Sequence, residues 1–154
     1  MIIKKVDHVH LIVSDMDKAL KSFEKILGLT PWSLGIIDLP GARQTMLTPE
    51  DGARIELLEP NSKMGRFNKL LKERGDGVYG LSIFIDNFDE EVKKLKEKGV
   101  PLEEEVAGLF PGHPFRLAWV PPEEGQGVWL ELVESEALPD FENAWESMDY
   151  PQTL

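Results

Sequence analysis

Val6-Asp7-His8-Val9-His10-Leu11-Ile12-Val13 decides the fold, because the chain writes it again as Val78-Tyr79-Gly80-Leu81-Ser82-Ile83-Phe84-Ile85. Each copy runs into an acidic turn and then an amphipathic helix. The first turn is Ser14-Asp15-Met16-Asp17 and the second is Asp86-Asn87-Phe88-Asp89. His8 and Gly80 are 72 residues apart, and so are Asp17 and Asp89. A later echo pairs Arg54-Ile55-Glu56-Leu57-Leu58-Glu59 with Trp129-Leu130-Glu131-Leu132-Val133-Glu134. A repeat of this length is too long for a solenoid unit, so two fused copies sharing one core are expected.

Alternation along the first copy puts Val9, Leu11 and Val13 on one face, and His8, His10 and Ile12 on the other. The next segment spaces Met16, Ala19, Leu20, Phe23, Ile26 and Leu27 as one apolar helical stripe. Ser14 or Asp15 suits its N-cap and Gly28 its C-cap. Strands are then expected at 32–37, 43–48 and 53–59, with turns at Asp38–Gly41 and Pro49–Gly52. A helix over 64–74 carries Phe67, Leu70 and Leu71, and Gly75-Asp76-Gly77 ends it. The second copy repeats the order: strand 78–85, helix 88–98 capped by Gly99, and strands near 102–106, 115–120 and 128–134.

The expected fold class is α+β, two tandem βαβββ modules whose curved, antiparallel-rich sheets enclose a shared cavity. Module one spans 4–60, a linker helix 61–76 and module two 77–135, together one domain over 1–135. Residues 136–154 form an acidic C-terminal extension. Phe141, Trp145, Met148 and Tyr150 suit it to docking on the body or on a partner subunit.

The 154 residues carry 28 acidic and 17 basic side chains, a net charge of −11. That charge argues against nucleic acid or an anionic membrane surface as partner. No cysteine is present, so disulfides and thiolate metal sites are excluded. No apolar run is long enough for a membrane span, and the first residues do not read as a signal peptide. A cytoplasmic location is the default expectation.

One imidazole and two carboxylates, His8, Glu56 and Glu131, suit a divalent cation of intermediate or hard character. Single scattered ligands are a weak signal. His8 at a sheet edge, or a glutamate on a half-solvated strand, commonly carries no metal. The equivalence of Glu56 and Glu131 in the two repeats weighs against that bland reading.

The pattern Asp7-His8-Val9-x-Leu11-x-Val13-x-Asp15, with Phe23, Leu27-Gly28-Leu29, Ile55-Glu56-Leu57-Leu58-Glu59-Pro60 and Leu130-Glu131-Leu132, resembles the vicinal oxygen chelate superfamily. That superfamily contains glyoxalases, methylmalonyl-CoA epimerases, extradiol dioxygenases and bleomycin-resistance proteins. The likeness leans to the epimerase and glyoxalase I branch and covers about residues 5 to 135. It implies four metal ligands, which fall on His8, Glu56, residue 80 and Glu131. Residue 80 is glycine. A three-ligand open site, substitution by His10, or loss of the metal are the three outcomes.

The resemblance implies a metal-dependent isomerase, epimerase or lyase acting beside a carbonyl, an enzyme of the glyoxalase type with a degenerate site. Its cofactor would be Mn, Co, Ni, Zn or Fe. Glu131 would be the base and Glu56 its counterpart on the other face of the carbon. The alternative is a metal-free protein that binds a small molecule, as in the bleomycin-resistance branch. An extradiol dioxygenase would need His10 as its second histidine. Arg116, Trp119 and Phe84 are candidate substrate contacts, although aromatics at strand spacing are usually core. His113 in the loop 108–114 reads as a surface residue. The ligand is expected to be a small molecule and the assembly a homodimer.

Overall fold

The computed structural model describes residues 1–32, 34–39, 41–63, 65–107 and 115–135. The loop 108–114 with His113, and the C-terminal extension 136–154, lie outside the described residues. The chain forms two compact units. One comprises residues 7–80, the other residues 1–6 with those from 81 onward.

In the 7–80 unit the strand order is β2 (Ile37–Leu39), β3 (Ala42–Leu47), β4 (Arg54–Pro60) and β1 (Ile3–Ile12), the last entering the unit at Asp7. β1 runs parallel to β4, while β2–β3 and β3–β4 are antiparallel. Helix α1 (Met16–Leu27) starts where the carboxylate of Asp15 accepts the backbone N–H of Lys18 at 2.9 Å. It ends where Gly28 turns left-handed at φ 70° and donates to Glu24 O. Both caps follow the expected chemistry of short polar and glycine ends.

One face of this sheet packs on α1. Val13, Met16, Leu47 and Leu57 are buried there, with Leu11, Leu20, Phe23 and Ile55 against them. Each fully buried leucine in such a cluster contributes about 1.5–3 kcal/mol. The expected apolar stripe of α1 is too long. Ile26 and Leu27 are 72% and 55% exposed, because the packed stripe ends at Phe23 and the last turn runs past it.

The strand expected at 32–37 is also different. Gly35 adopts φ 64° and its N–H donates to Trp32 O at 3.0 Å, while the Trp32 indole donates to Gly35 O at 2.8 Å. This closed turn stops an extended run, and the strand begins only at Ile37. Helix α2 (Arg66–Arg74) follows β4 and packs against it.

The remaining strands follow the order β5 (Gly77–Ile85), β8 (Trp129–Glu134), β7 (Phe115–Val120) and β6 (Glu103–Ala107), with β5 leaving the 7–80 unit after Gly80. The β6–β7 and β7–β8 pairs are antiparallel. Helix α3 (Phe88–Glu97) ends at Lys98, with Gly99 left-handed just beyond it. Its Phe88 and Val92 pack with Ile85, Ala118, Val120 and Leu132. Among the described residues, eight strands with α1 and α3 form two βαβββ modules, and α2 links them in sequence, an α+β fold. No helix among the described residues is long and apolar enough to cross a membrane.

Candidate functional site

The face of the 7–80 sheet turned away from α1 collects polar side chains. Across the parallel β1–β4 pair, His8 stands opposite Arg54, His10 opposite Glu56 and Ile12 opposite Leu58. β3 places Met46 beside Glu56. Asp7, His8, His10, Arg54 and Glu56 are all buried. Buried charge is costly unless it is paired, so the partners of these groups decide what the site can do.

Asp7 serves two of them. Its Oδ2 lies 2.8 Å from His8 Nδ1 and also takes the Arg54 guanidinium. Burial alone would raise the Asp7 pKa, but the His8 hydrogen bond and the Arg54 charge outweigh it. The carboxyl is held well below the usual carboxylate range. His10 Nδ1 meets Glu56 Oε2, its neighbour across the strand pair. The two imidazoles lie 4.4 Å apart between centroids, edge to face. Tyr79 packs on His10 at 5.2 Å, and Phe67 of α2 packs on Tyr79 at 6.2 Å.

His8, His10 and Glu56 are therefore brought together as one cluster. Gly80 is buried at the end of the same unit and brings no side chain to it.

Glu131 lies in β8 of the other unit, opposite Trp119 of β7, and is buried. Trp119 is buried edge-on to Trp129 at 6.2 Å, and Phe84 is buried with the Lys5 ammonium 5.3 Å from its ring centre. Neither aromatic belongs to the apolar cluster packed on α3, so both lie on the other face of their strands. Arg116 is committed to carboxylates: its Nε donates to Glu134 at 3.0 Å, and its terminal nitrogens meet Glu134 and Asp89. Those bonds raise its pKa further, and its guanidinium also lies 5.1 Å from the Phe88 ring centre. Its charge is matched within the protein.

Asp7, Arg54 and Tyr79 are the members of the cluster that sequence reasoning did not single out. A signal for them exists in the repeat. Asp7 becomes Tyr79 in the second copy, and Arg54 becomes Trp129. The acid and the base that pair in one copy are both replaced by aromatics in the other. That joint change sets the two positions apart from the rest of the repeat, but the pairing itself comes from the β1–β4 register.

Residues 7–117 match the Glyoxalase/Bleomycin resistance protein/Dioxygenase superfamily. The human mitochondrial methylmalonyl-CoA epimerase is 29% identical over 136 residues, covering 85% of this chain and 74% of that protein. The crystal structure of methylmalonyl-CoA epimerase from Mycobacterium tuberculosis is 28% identical with a TM-score of 0.72, covering 86% of this chain and 88% of that one. A Streptomyces coelicolor methylmalonyl-CoA epimerase variant, in complex with 2-nitronate-propionyl-CoA, shares the fold. It has a TM-score of 0.73 and 23% identity, covering 86% of this chain and 98% of that one. The match over most of its length and the shared fold show that this chain belongs to the Glyoxalase/Bleomycin resistance protein/Dioxygenase superfamily.

Proposed function

We propose that this protein is a divalent-metal epimerase acting at the carbon beside the carbonyl of a CoA thioester. The observation that carries the reading is the buried His8–His10 pair, in which each Nδ1 faces a carboxylate: Asp7 for His8, Glu56 for His10. A carboxylate on Nδ1 fixes the tautomer and leaves Nε2 as the nitrogen a metal takes. Two imidazoles and one carboxylate suit Mn, Co, Ni, Zn or Fe, so the donor chemistry fits the cofactor that the resemblance implies. His10 takes the place of the donor that Gly80 lacks. Glu131, at the repeat position of Glu56 and buried in β8, is the carboxylate that the resemblance implies as a further donor.

A cation bound there would lower the cost of negative charge on the thioester oxygen as the proton leaves the neighbouring carbon. The resemblance assigns removal of this proton to Glu131. Inversion needs a second acid–base group, and Glu56, paired with His10, is the candidate. The methylmalonyl-CoA epimerases among the relatives support the substrate class.

The test is incubation with methylmalonyl-CoA in D2O, following deuterium at the carbon beside the thioester and inversion of that centre. Glu131→Gln should lower turnover by about 100-fold or more with its circular dichroism unchanged. Full activity in Glu131→Gln would reject the reading.

His10 beside His8 also favours a second reading. Two histidines and one carboxylate suit the ferrous oxygenases, and Fe-dependent oxygen uptake with a catechol, without deuterium exchange, would select it.

A further inference from the structure

The chain is acidic overall, with a net charge of −11, yet Lys63, Arg66, Lys69, Lys72 and Arg74 are gathered around one short helix. Lys63, Arg66, Lys69 and Lys72 line a surface pocket of about 550 Å³, with Asn68 and Glu73 also in its wall. Spacing by three residues places Arg66, Lys69 and Lys72 along one side of α2, where like charges repel. Lys69 reaches Glu73 only at 3.9 Å, and neither Lys63 nor Lys72 has an ion-pair partner among the described residues. A solvated basic face would account for the charges alone, but not for their placement around a pocket or for Asn68. The Asn68 amide nitrogen donates to Ser62 O at 2.9 Å, while its Oδ1 is buried with no donor among the described residues. Buried acceptors are rarely left so, and this one suits an amide N–H brought by a ligand.

The pocket is also tied to the candidate centre within the same unit. Phe67, on α2 beside Arg66 and Asn68, packs on Tyr79, and Tyr79 packs on His10. A ligand whose reactive end lies at the histidines and whose far end is polyanionic has a matching surface on α2.

We propose that the α2 pocket binds the phosphate groups of the CoA moiety, with Lys63, Lys69 and Lys72 as point-charge contacts, Arg66 as a forked donor, and Asn68 accepting an amide N–H of the pantetheine arm. The proposal rests on the CoA-thioester reading of the same chain, but its test does not require turnover.

CoA, dephospho-CoA and pantetheine are titrated calorimetrically into wild type, into Lys63→Ala/Lys69→Ala/Lys72→Ala, and into Lys93→Ala on α3 as a control. All four lysines are exposed, so the substitutions leave the packed interior untouched. Wild type should bind CoA most tightly, dephospho-CoA less and pantetheine least. The triple variant should lose about tenfold or more in CoA affinity. It should bind pantetheine as wild type does, and Lys93→Ala should match wild type throughout. CoA bound equally by wild type and the triple variant would overturn the proposal. So would CoA bound no more tightly than pantetheine by wild type.

Turnover separates this outcome from the fate of the reaction itself. CoA binding that depends on the lysines, without epimerisation, removes the reaction and leaves the pocket. Epimerisation with an unchanged KM in the triple variant removes the pocket and leaves the reaction.

Discussion

His10 Nδ1 meets the carboxylate of Glu56, the residue directly opposite it across the parallel β1–β4 pair. The register of two strands thus sets the orientation of an imidazole. The same device recurs two residues earlier, where Asp7 takes His8 Nδ1 and is itself anchored by Arg54. Both rings are oriented by carboxylates that the backbone geometry puts in reach.

Glu56→Gln keeps the shape of the side chain and removes its charge. Outer partners of metal-binding histidines typically govern affinity by about 10–100-fold. Metal affinity, measured by competition with a chelator, should fall by that factor while the circular dichroism stays the same. Unchanged affinity would place Glu56 outside the metal's surroundings.

Asp7→Asn removes a buried carboxylate that pairs with the buried Arg54 guanidinium. Removing one partner of a buried pair costs about 3–5 kcal/mol. Urea unfolding at neutral pH should show a loss of this size. Replacing both partners, as Asp7→Asn/Arg54→Met, should recover part of it. A double variant no more stable than Asp7→Asn would show that the pair is not the source of the loss.

Asp86 offers a pH test away from the histidines. The Ser135 hydroxyl donates to it at 2.6 Å and the Lys4 ammonium lies 3.3 Å away. The Ser135 bond is the largest influence and lowers the Asp86 pKa. A lowered folded-state value stabilises above the ordinary aspartate pKa of about 4, and that contribution is lost as pH falls through the lower value. The Tm advantage of wild type over Asp86→Asn should be present at pH 7 and shrink as the pH drops below about 4. A constant difference would contradict this.

Much of the architecture was legible because the chain states it twice. The alternation in β1 assigned Leu11 and Val13 to the helix-facing side and the histidines to the other, and the packing agrees. Asp15 and Gly28 cap α1 as their chemistry directs. Helical periodicity marks a face without saying where packing stops along the helix, so Ile26 and Leu27 were assigned inward and are exposed. The strand at 32–37 was lost to a local turn between Trp32 and Gly35, which no alternation pattern reveals. At the site, His8, His10 and Glu56 were legible by face. The Asp7–Arg54 pair was not, because it depends on a register that only the folded sheet supplies.

The same contrast yields a stability test. Leu57 is fully buried and Ile26 is 72% exposed. Leu57→Ala should cost about 2–5 kcal/mol, and Ile26→Lys should stay within about 0.5 kcal/mol of wild type. Chemical denaturation measures both, and a large loss in Ile26→Lys would show that the last turn of α1 is covered.

The central claim is that His8 and His10 hold a divalent cation together. Its most direct test is the metal content of untagged wild type, His8→Ala and His10→Ala, purified without chelator and soaked with Mn, Co, Ni, Zn and Fe in turn. About one equivalent in wild type, lost in both variants, is the predicted result. No metal in wild type after soaking, or a full equivalent retained in His10→Ala, would contradict the claim.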